Sequence, residues 1–354
     1  MSASRPLPLQ AGLAGCSTWS PWLWSVWLAS LVCAAMVLAL GLGRYPVAVS
    51  DILRFLASSV GLADMPADQY ALLHNLLVQI RLPRVLAAAL VGAALSASGA
   101  TFQAVFRNPL VSPGLLGVLA GSAFGAALGI LLALPWWLVQ TMAFGMGIAA
   151  VLMALGIAGT FRQGGLVLLV LGGILASALF SSLLACVKYV ADPYNQLPAI
   201  VYWLMGSLAV ADLQQLRWVA WPMLASTLVM CLFGKALDAL TMGDEEAHTL
   251  GIPVRPLRYT LIAAATLASA LTVSLAGMIG WVGLIVPHMA RLLAGPGNAR
   301  LLPLCVALGA LFLLGADALS RTLATTEVPI GIVTELLGIP VFILILSRAR
   351  RAWV

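Results

Sequence analysis

The sequence contains few charged residues for a chain of 354 residues. Only 8% of the residues are charged, with 18 Lys and Arg and 12 Asp and Glu, whereas 62% are hydrophobic. Soluble domains carry about 25% charged and about 45–50% apolar residues. So few charges cannot solvate a water-soluble fold of this size, which excludes a cytosolic enzyme and a disordered chain. The composition predicts an all-α polytopic integral membrane protein, because in lipid each spanning segment must pair its own backbone polar groups.

Motifs for catalysis, nucleotide binding and metal binding are also missing. The two lysines, Lys188 and Lys235, lie outside any GxxxxGK[ST] loop, so no P-loop is present to hold nucleotide phosphates. There is no HExxH motif, no GxSxG motif and no Cys/His cluster. The cysteines are odd in number and widely spaced, which indicates neither a disulfide framework nor a metal site: Cys16, Cys33, Cys186, Cys231 and Cys305. Although the net charge is +6, the basic residues are scattered, so we expect no nucleic-acid partner, catalytic site, bound cofactor or metal.

Uncharged apolar runs divide the chain into membrane spans. A spanning helix needs roughly 20 apolar residues, and the first such run extends over residues 22–43. Its length favours a spanning helix over a cleavable signal peptide. Counting the charge-free intervals that follow predicts about ten helices in all. We therefore assign residues 22–347 to a transmembrane domain, 1–21 to an N-terminal cytoplasmic tail and 348–354 to a basic cytoplasmic C-terminal tail.

The distribution of basic residues predicts the orientation of these spans. An even number of spans places both termini on one side; if that side is the cytoplasm, 11 basic residues lie inside and 7 outside, as the positive-inside rule favours. The inside group is Arg5, Arg107, Arg162, Lys235, Arg255, Arg258, Arg291, Arg300, Arg348, Arg350 and Arg351; the outside group is Arg44, Arg54, Arg81, Arg84, Lys188, Arg217 and Arg321. The number of outside charges indicates that some of them bind a partner.

Local patterns predict structure between and within the spans. Acidic residues are densest in the inner segment 238–257, where we predict a short helix that begins at Gly243 and ends at Gly251. On the outer side, residues 45–79 are expected to form a long loop containing a short amphipathic helix. Small residues recur at four-residue spacing in 121–129, which predicts close helix packing within the chain.

Ionisable residues inside apolar runs are expensive to bury and are therefore candidates for functional residues. Asp317 and Arg321 have the spacing of a helical ion pair, with the acid first, and we interpret them as a structural pair near the outer boundary. Glu335 lies five residues into the last apolar run, either near the interface or facing a protein-lined cavity. His288 fits a satisfied structural residue or a proton relay, and His74 fits a solvated loop residue or a docking contact.

Several motifs, in order along the chain, resemble one family. The strongest is GMIGWVGLIVPHMARLL at 277–293, which is similar to a G-x-I-G-F-V-G-L-x-x-P-H-x-x-R block. The others are RLPR at 81–84, RNPL at 107–110, WLMGSL at 203–208, and VPIGIVT at 328–334 followed by GIPVF at 338–342. Together they resemble the FecCD family of ABC-importer permeases, which carry ferric siderophores, haem or cobalamin.

The resemblance implies the type II ABC importer permease fold, with ten helices per subunit in the bacterial inner membrane. It implies a second copy of the chain, with the pathway at the twofold axis. It also implies two separate ATPase subunits, which hydrolyse ATP with Mg, and a periplasmic binding protein that delivers the substrate. These expectations agree with the chain's own lack of a nucleotide site, which calls for an external energy source.

The resemblance also assigns roles to individual residues. Arg81, Arg84 and Arg321 match outward-facing arginines that dock the binding protein, and Asn108 and Leu110 match a cytoplasmic gate loop. The matching ATPase coupling helix comprises Gly243, Asp244, Glu245, Glu246, Ala247, His248, Thr249, Leu250 and Gly251. Two features depart from the family pattern. The stretch 321–327 is one residue shorter than expected, and Glu335 stands where a small or apolar residue is usual.

Three classes of function therefore remain open from the sequence. The first is an ABC-importer permease for an iron chelate, a ferric siderophore or haem, with cobalamin and molybdate as alternative substrates. The second is a secondary transporter that couples protons through Glu335 or Asp317, since such transporters also carry intramembrane acids. The third, an intramembrane enzyme, is disfavoured by the absence of a catalytic constellation.

Overall fold

The computed structural model describes residues 21–43, 45–160, 166–209 and 211–352. The predicted N-terminal tail, 1–21, lies outside these residues apart from Pro21, as do Arg44, Arg162 and Cys16. All the regular elements in the described ranges are helices: α1 (Pro21–Gly41), α2 (Val49–Ser59), α3 (Ala67–His74), α4 (Leu82–Val105), α5 (Val118–Leu131), α6 (Trp136–Gly159), α7 (Leu166–Val190), α8 (Gln196–Leu204), α9 (Leu213–Leu232), α10 (Gly234–Met242), α11 (Asp244–Thr249), α12 (Val254–Ala276), α13 (Val282–Ala294), α14 (Asn298–Thr322) and α15 (Ile330–Ala352). A π-helical segment (Asn75–Arg81) and a 3-10 turn (Pro113–Leu116) complete the set.

The predicted number of spans agrees with the described helices. Six of them are long and apolar enough to cross a membrane, and one of these runs without a break from α3 through the π-helical segment to the end of α4. The pair α9 and α10, bent by 55°, forms a seventh. Adding the shorter apolar helices α5, α13 and α15 brings the total to the predicted ten. Pro135 separates α5 from α6, because its ring disfavours a helical conformation in the residue before it.

Helix α4 is the central element of the bundle and packs against α14, α12, α13 and α9. Small residues on α4 allow this close packing. A Cβ added at Gly99 would overlap the carbonyl oxygen of Gly283 on α13, and the hydroxyl of Ser96 donates a 2.6 Å hydrogen bond to the carbonyl oxygen of Cys305 on α14. A larger residue at Gly99 would therefore separate α4 from α13.

Helices α5, α6 and α7 form a second packed group. A Cβ at Gly121 or Gly125 of α5 would overlap the carbonyl oxygens of Met146 and Met142 on α6. The glycine spacing therefore serves close packing between two helices of the same chain. This confirms the sequence prediction for this segment.

Two boundaries differ from the sequence prediction. The outer segment 45–79 is not mainly a loop, because α3 begins at Ala67 and continues into α4. Arg81 and Arg84 obscured this continuity, since they resemble the end of a span but are buried within the bundle. At the other end of the chain, α15 runs to Ala352, so the predicted tail at 348–354 is helical over 348–352.

Helix α1 packs loosely against the bundle and leaves a groove beside it. The groove has a volume of about 810 Å³ and lies between α1, α4, α9 and α14. Its wall is apolar except for a few polar groups, with Arg217 as its charged member. A wall of this kind suits lipid chains better than a hydrophilic substrate, so the functional residues are sought at the two ends of the bundle.

Candidate functional site

A buried carboxylate, Asp317, organises the outer end of the bundle. Its side chain on α14 is 0% exposed. Arg84 on α4 donates from Nε to Asp317 Oδ1 at 2.7 Å and from Nη1 to Glu327 Oε2 at 2.8 Å. Arg321 Nε lies 3.0 Å from Asp317 Oδ2 as an ion pair one helical turn away. This confirms the structural interpretation of the Asp317–Arg321 pair and adds Arg84 to it.

Two arginines also cap the outer end of α1. Arg321 donates from Nη1 to the carbonyl oxygen of Leu42 at 2.7 Å and from Nη2 to that of Ala39 at 3.2 Å. Arg81 donates to the carbonyl oxygens of Leu40 (2.6 Å) and Tyr45. The last carbonyls of a helix lack partners within the helix and carry partial negative charge, so a guanidinium is a favourable cap. The two arginines therefore fix α1 to the bundle.

These contacts correct the expectation that Arg81, Arg84 and Arg321 face outward. The three residues are 5%, 7% and 6% exposed. Their guanidinium groups are directed toward carboxylates and carbonyls of the same chain, because an arginine at this depth needs partners inside the protein. Their role in docking a binding protein stays a prediction, and it would require these contacts to open.

The inner end carries the predicted short helix, α11. Gly243 precedes it with φ of 151°, a backbone conformation available essentially to glycine alone. The helix ends where the amide of Gly251 bonds to the carbonyl of His248 at 2.9 Å. Ala247 is buried against the bundle, whereas the side chains on the other face are exposed: Glu245, Glu246, His248, Thr249 and Leu250. The exposed face could receive another protein.

Two arginines from different helices hold the first residue of α11. Asp244 Oδ1 accepts a 2.7 Å hydrogen bond from Arg258 Nη2 on α12 and another from Arg107 Nη2, which follows α4. The hydrogen bond from Arg258 lowers the pKa of Asp244 below its ordinary value, against a smaller opposing effect of burial, and Arg107 lowers it further. The carboxylate is therefore ionised and bridges the two helices at neutral pH.

The predicted gate residues lie immediately after Arg107. Asn108 and Leu110 are exposed in the loop between α4 and the 3-10 turn, where Asn108 Oδ1 accepts a 2.9 Å hydrogen bond from the Leu110 amide. Leu110 is 61% exposed, although it is a large apolar side chain. Arg107 itself has φ of 50°, a strained value for a non-glycine residue. It also donates from Nε to the carbonyl oxygen of Leu240 at 3.0 Å, so the gate loop is joined to both α10 and α11.

A further contact fixes α10 to the rest of the inner end. Asp238 Oδ1 accepts 2.7 Å hydrogen bonds from the amide and from the side chain of Asn298, the first residue of α14. A carboxylate at a helix N-terminus is favourable because free amides and the helix dipole point toward it. The segment that precedes α11 is therefore anchored to the bundle.

The remaining candidates lie apart from these clusters. Glu335 is exposed on the second turn of α15, next to Gly280. His74 packs against the rings of Tyr70 and Phe55, and His288 has Nδ1 2.8 Å from the carbonyl oxygen of Leu284. Both histidines thus have structural contacts. Within the described ranges, no three His, Cys, Asp or Glu residues come together as a metal site.

Comparisons with known proteins identify the family. The model of the FecCD transport family matches residues 31–348. The chain belongs to this family. The FecCD chain described here is 37% identical over 318 residues to the molybdate import system permease protein MolB of Haemophilus influenzae, covering 89% of this chain and 92% of MolB.

Other FecCD relatives have different names. The chain is 36% identical over 285 residues to a probable iron chelatin transport system permease protein of Helicobacter pylori, covering 80% of this chain and 86% of that one. It is 40% identical over 283 residues to the vitamin B12 import system permease protein BtuC of Klebsiella pneumoniae, covering 77% and 82%. These permeases carry differently named substrates, so membership leaves the substrate open.

A solved structure agrees with this assignment. A metal-chelate type ABC transporter in an inward-facing conformation matches 93% of this chain and 100% of its own, with a TM-score of 0.81 and 34% identity. A second match, PsaBC from Streptococcus pneumoniae in complex with Fab, has a TM-score of 0.54 and 18% identity and supports the fold alone. The chain is therefore a multi-pass permease of the ABC-importer class, and the secondary-transporter and intramembrane-enzyme hypotheses are not favoured.

Sequence reasoning missed the contacts that join distant segments, among them two ion pairs. Arg84 and Asp317 are 233 residues apart, and Arg107 and Asp244 are 137 residues apart. No spacing rule connects residues at such separations. The available signal was chemical: an acid and a basic residue that lie at the same end of the spans are candidates for an ion pair, above all where the acid is buried, as Asp317 is.

Proposed function

We propose that this FecCD permease forms, as a homodimer in the bacterial inner membrane with cytoplasmic termini, the path of an importer that separate ATPase subunits drive. A periplasmic binding protein supplies the substrate on the outer side. The absence of a P-loop in the sequence requires a partner to hydrolyse ATP. The basic residues that follow the even-numbered spans agree with this orientation.

The observation that carries the proposal is the set of contacts between α11 and the gate loop. Asp244 at the start of α11 binds Arg107. The gate residues Asn108 and Leu110 come directly after Arg107 in the sequence. A displacement of α11 by an ATPase would therefore move the gate loop through one ion pair. The second copy would close the gate by bringing its own Leu110 against this residue, which is 61% exposed in the single chain.

An iron chelate, a ferric siderophore or haem, is the proposed substrate. Support comes from the iron chelatin relative and from the metal-chelate type structure that matches the whole fold. Cobalamin and molybdate are the alternatives, because BtuC and MolB are also similar to this chain, at 40% and 37% identity. Uptake of each compound by the same transporter separates them.

The test is ATP-driven uptake in proteoliposomes that contain the permease with its ATPase and binding protein. Replacing Arg107→Ala removes the link between α11 and the gate, and we expect import to fall about tenfold, within the range of coupling energies between protein sites. ATP hydrolysis is expected to continue, since the exposed face of α11 is unchanged. Arg300→Ala is the matched control, because Arg300 is an exposed arginine at the same end of the bundle.

Two results would contradict the proposal. Import that proceeds without ATP and follows a proton gradient would reject the importer class for this chain. Import by Arg107→Ala at the rate of the unmodified protein would reject the ion pair as the coupling element, while leaving the class intact.

A further inference from the structure

Glu335 lies at a depth where a carboxylate is unusual. It is the sixth residue of α15, so the helical rise places it about 7.5 Å beyond the start of the helix. It also precedes Arg348 by thirteen positions, or about 20 Å of helix. The segment Ile330–Ile345 is otherwise an apolar helix. Glu335 therefore lies within the thickness of the hydrocarbon layer.

The carboxylate is exposed on the lateral surface of the single chain. It belongs to a continuous exposed stripe of α15 together with Ile332, Leu336, Ile339 and Ile343, at helical spacing. Its Oε1 atom lies 3.8 Å from the position that a Cβ would take on Gly280. Among the residues that the structure describes, no cation is within ion-pair distance of it.

An acidic side chain directed into lipid is strongly disfavoured, and such residues almost always face a bundle interior or a water-filled cavity. The stripe of α15 that carries Glu335 therefore does not face lipid when the permease is assembled. It faces a second copy or the space between two copies. In a symmetric dimer, both copies contribute Glu335 to that space.

Aromatic side chains lie beside the part of α15 that follows Glu335. Gly338, one turn further along, packs against Trp281, since a Cβ there would lie 3.0 Å from the Trp281 Cβ. Phe342 follows, with its ring 6.0 Å from that of Trp281 and 5.6 Å from that of His288. Trp281 has φ of 68°, and non-glycine residues in this conformation cluster at functional sites.

We infer that Glu335 lines the transport pathway and makes that part of the pathway favour cations over anions. This inference rests on the proposed function, because it needs the pathway to run between two copies. Two carboxylates that line a water-filled space repel an anion and attract a cation, as acidic rings do in cation channels.

The test measures the charge preference at Ile339, one turn below Glu335, in proteoliposomes of the full transporter. Ile339→Cys is introduced into a permease whose five native cysteines are replaced by alanine. The cysteine is modified with a cationic or an anionic methanethiosulfonate reagent, and the ratio of the two rates is recorded. Adding Glu335→Gln should lower the cation-to-anion ratio about tenfold. This is the lower limit of the factor by which a charged cleft raises the local concentration of counter-ions. The control, Asp64→Asn, removes an exposed acid of the outer segment and should leave the ratio unchanged.

Each outcome separates this inference from the proposed function. A cysteine at 339 that reacts with neither reagent would show that the stripe is packed or faces lipid, which overturns the inference. A ratio unchanged by Glu335→Gln would overturn the charge selection. ATP-dependent import by the same liposomes, measured in parallel, reports on the proposed function alone, because it does not depend on the reagent ratio.

Discussion

The buried ion-pair cluster at the outer end predicts a large loss of stability when Arg84 is replaced by methionine. The change keeps the length of the side chain and removes its charge, so the side chain of Asp317, 0% exposed, loses its hydrogen-bonded partner at 2.7 Å. Asp317 retains only the longer ion pair with Arg321. Glu327 also loses Arg84, but it is partly exposed and can be solvated.

The magnitude follows from the geometry. Two unit charges about 4 Å apart attract by about 4 kcal/mol at an effective dielectric constant of 20. Removing one member of a buried pair costs about 3–5 kcal/mol, because the other charge stays buried. Since Arg321 still neutralises part of the charge on Asp317, we expect the lower limit, about 3 kcal/mol, or roughly a hundredfold in the folding equilibrium.

The assay is equilibrium unfolding of the detergent-solubilised permease, followed by tryptophan fluorescence. A double-mutant cycle with Asp317→Leu isolates the pair, and we expect a coupling free energy of about 2 kcal/mol. Arg54→Met is the matched control, because Arg54 is exposed on α2, and its effect should stay within about 0.5 kcal/mol.

Either of two results would refute this reasoning. If Arg84→Met unfolds like the unmodified protein and instead loses affinity for the binding protein, Arg84 acts in docking and not in holding the bundle together. If the cycle with Asp317→Leu gives no coupling, the contact between the two side chains does not contribute to stability, whatever the effect of each single change.

Two further predictions concern the packing of α4 and the anchoring of α11. Gly99→Val should cost at least about 3 kcal/mol or prevent assembly, since its side chain would meet the backbone of Gly283; Gly145→Val on α6, where a Cβ meets no atom within 4 Å, should assemble normally in size-exclusion chromatography. Because Arg258 lowers the pKa of Asp244 below its ordinary 3.8, the contribution of this contact should be constant from neutral pH down to that value and be lost as pH falls through the lowered pKa. Amide hydrogen exchange across α11 measures this when each rate is divided by the intrinsic rate at the same pH, and protection that falls already between pH 7 and 5 would contradict it.

Much of the fold followed from local sequence. The ten apolar segments were predictable because lipid requires about 20 apolar residues per span and a paired backbone in each. The short helix α11 was predictable because glycines at 243 and 251 bound an acidic segment. The family was also predictable, because its motifs lie in short contiguous stretches of the sequence. The FecCD model matches residues 31–348.

Apart from the Asp317–Arg321 pair, the contacts of the charged residues did not follow from the sequence. Arg81, Arg84 and Arg321 were expected to face outward, because the family resemblance implied that they dock a binding protein. They are buried because carboxylates and helix-end carbonyls of other segments provide partners at the same level of the bundle. Pattern rules for helices act over three or four residues and carry no information on such pairs.

The sequence by itself thus determined that the chain crosses a membrane about ten times, because lipid constrains each segment separately. It also determined the family of importers, because the family motifs lie in short contiguous stretches. The tertiary structure decided which charges hold the bundle together and which remain available. It joined Asp244 to Arg107 and left Glu335 exposed on α15. Only packing can make that distinction, since it depends on which partners lie within a few ångströms once the helices are assembled.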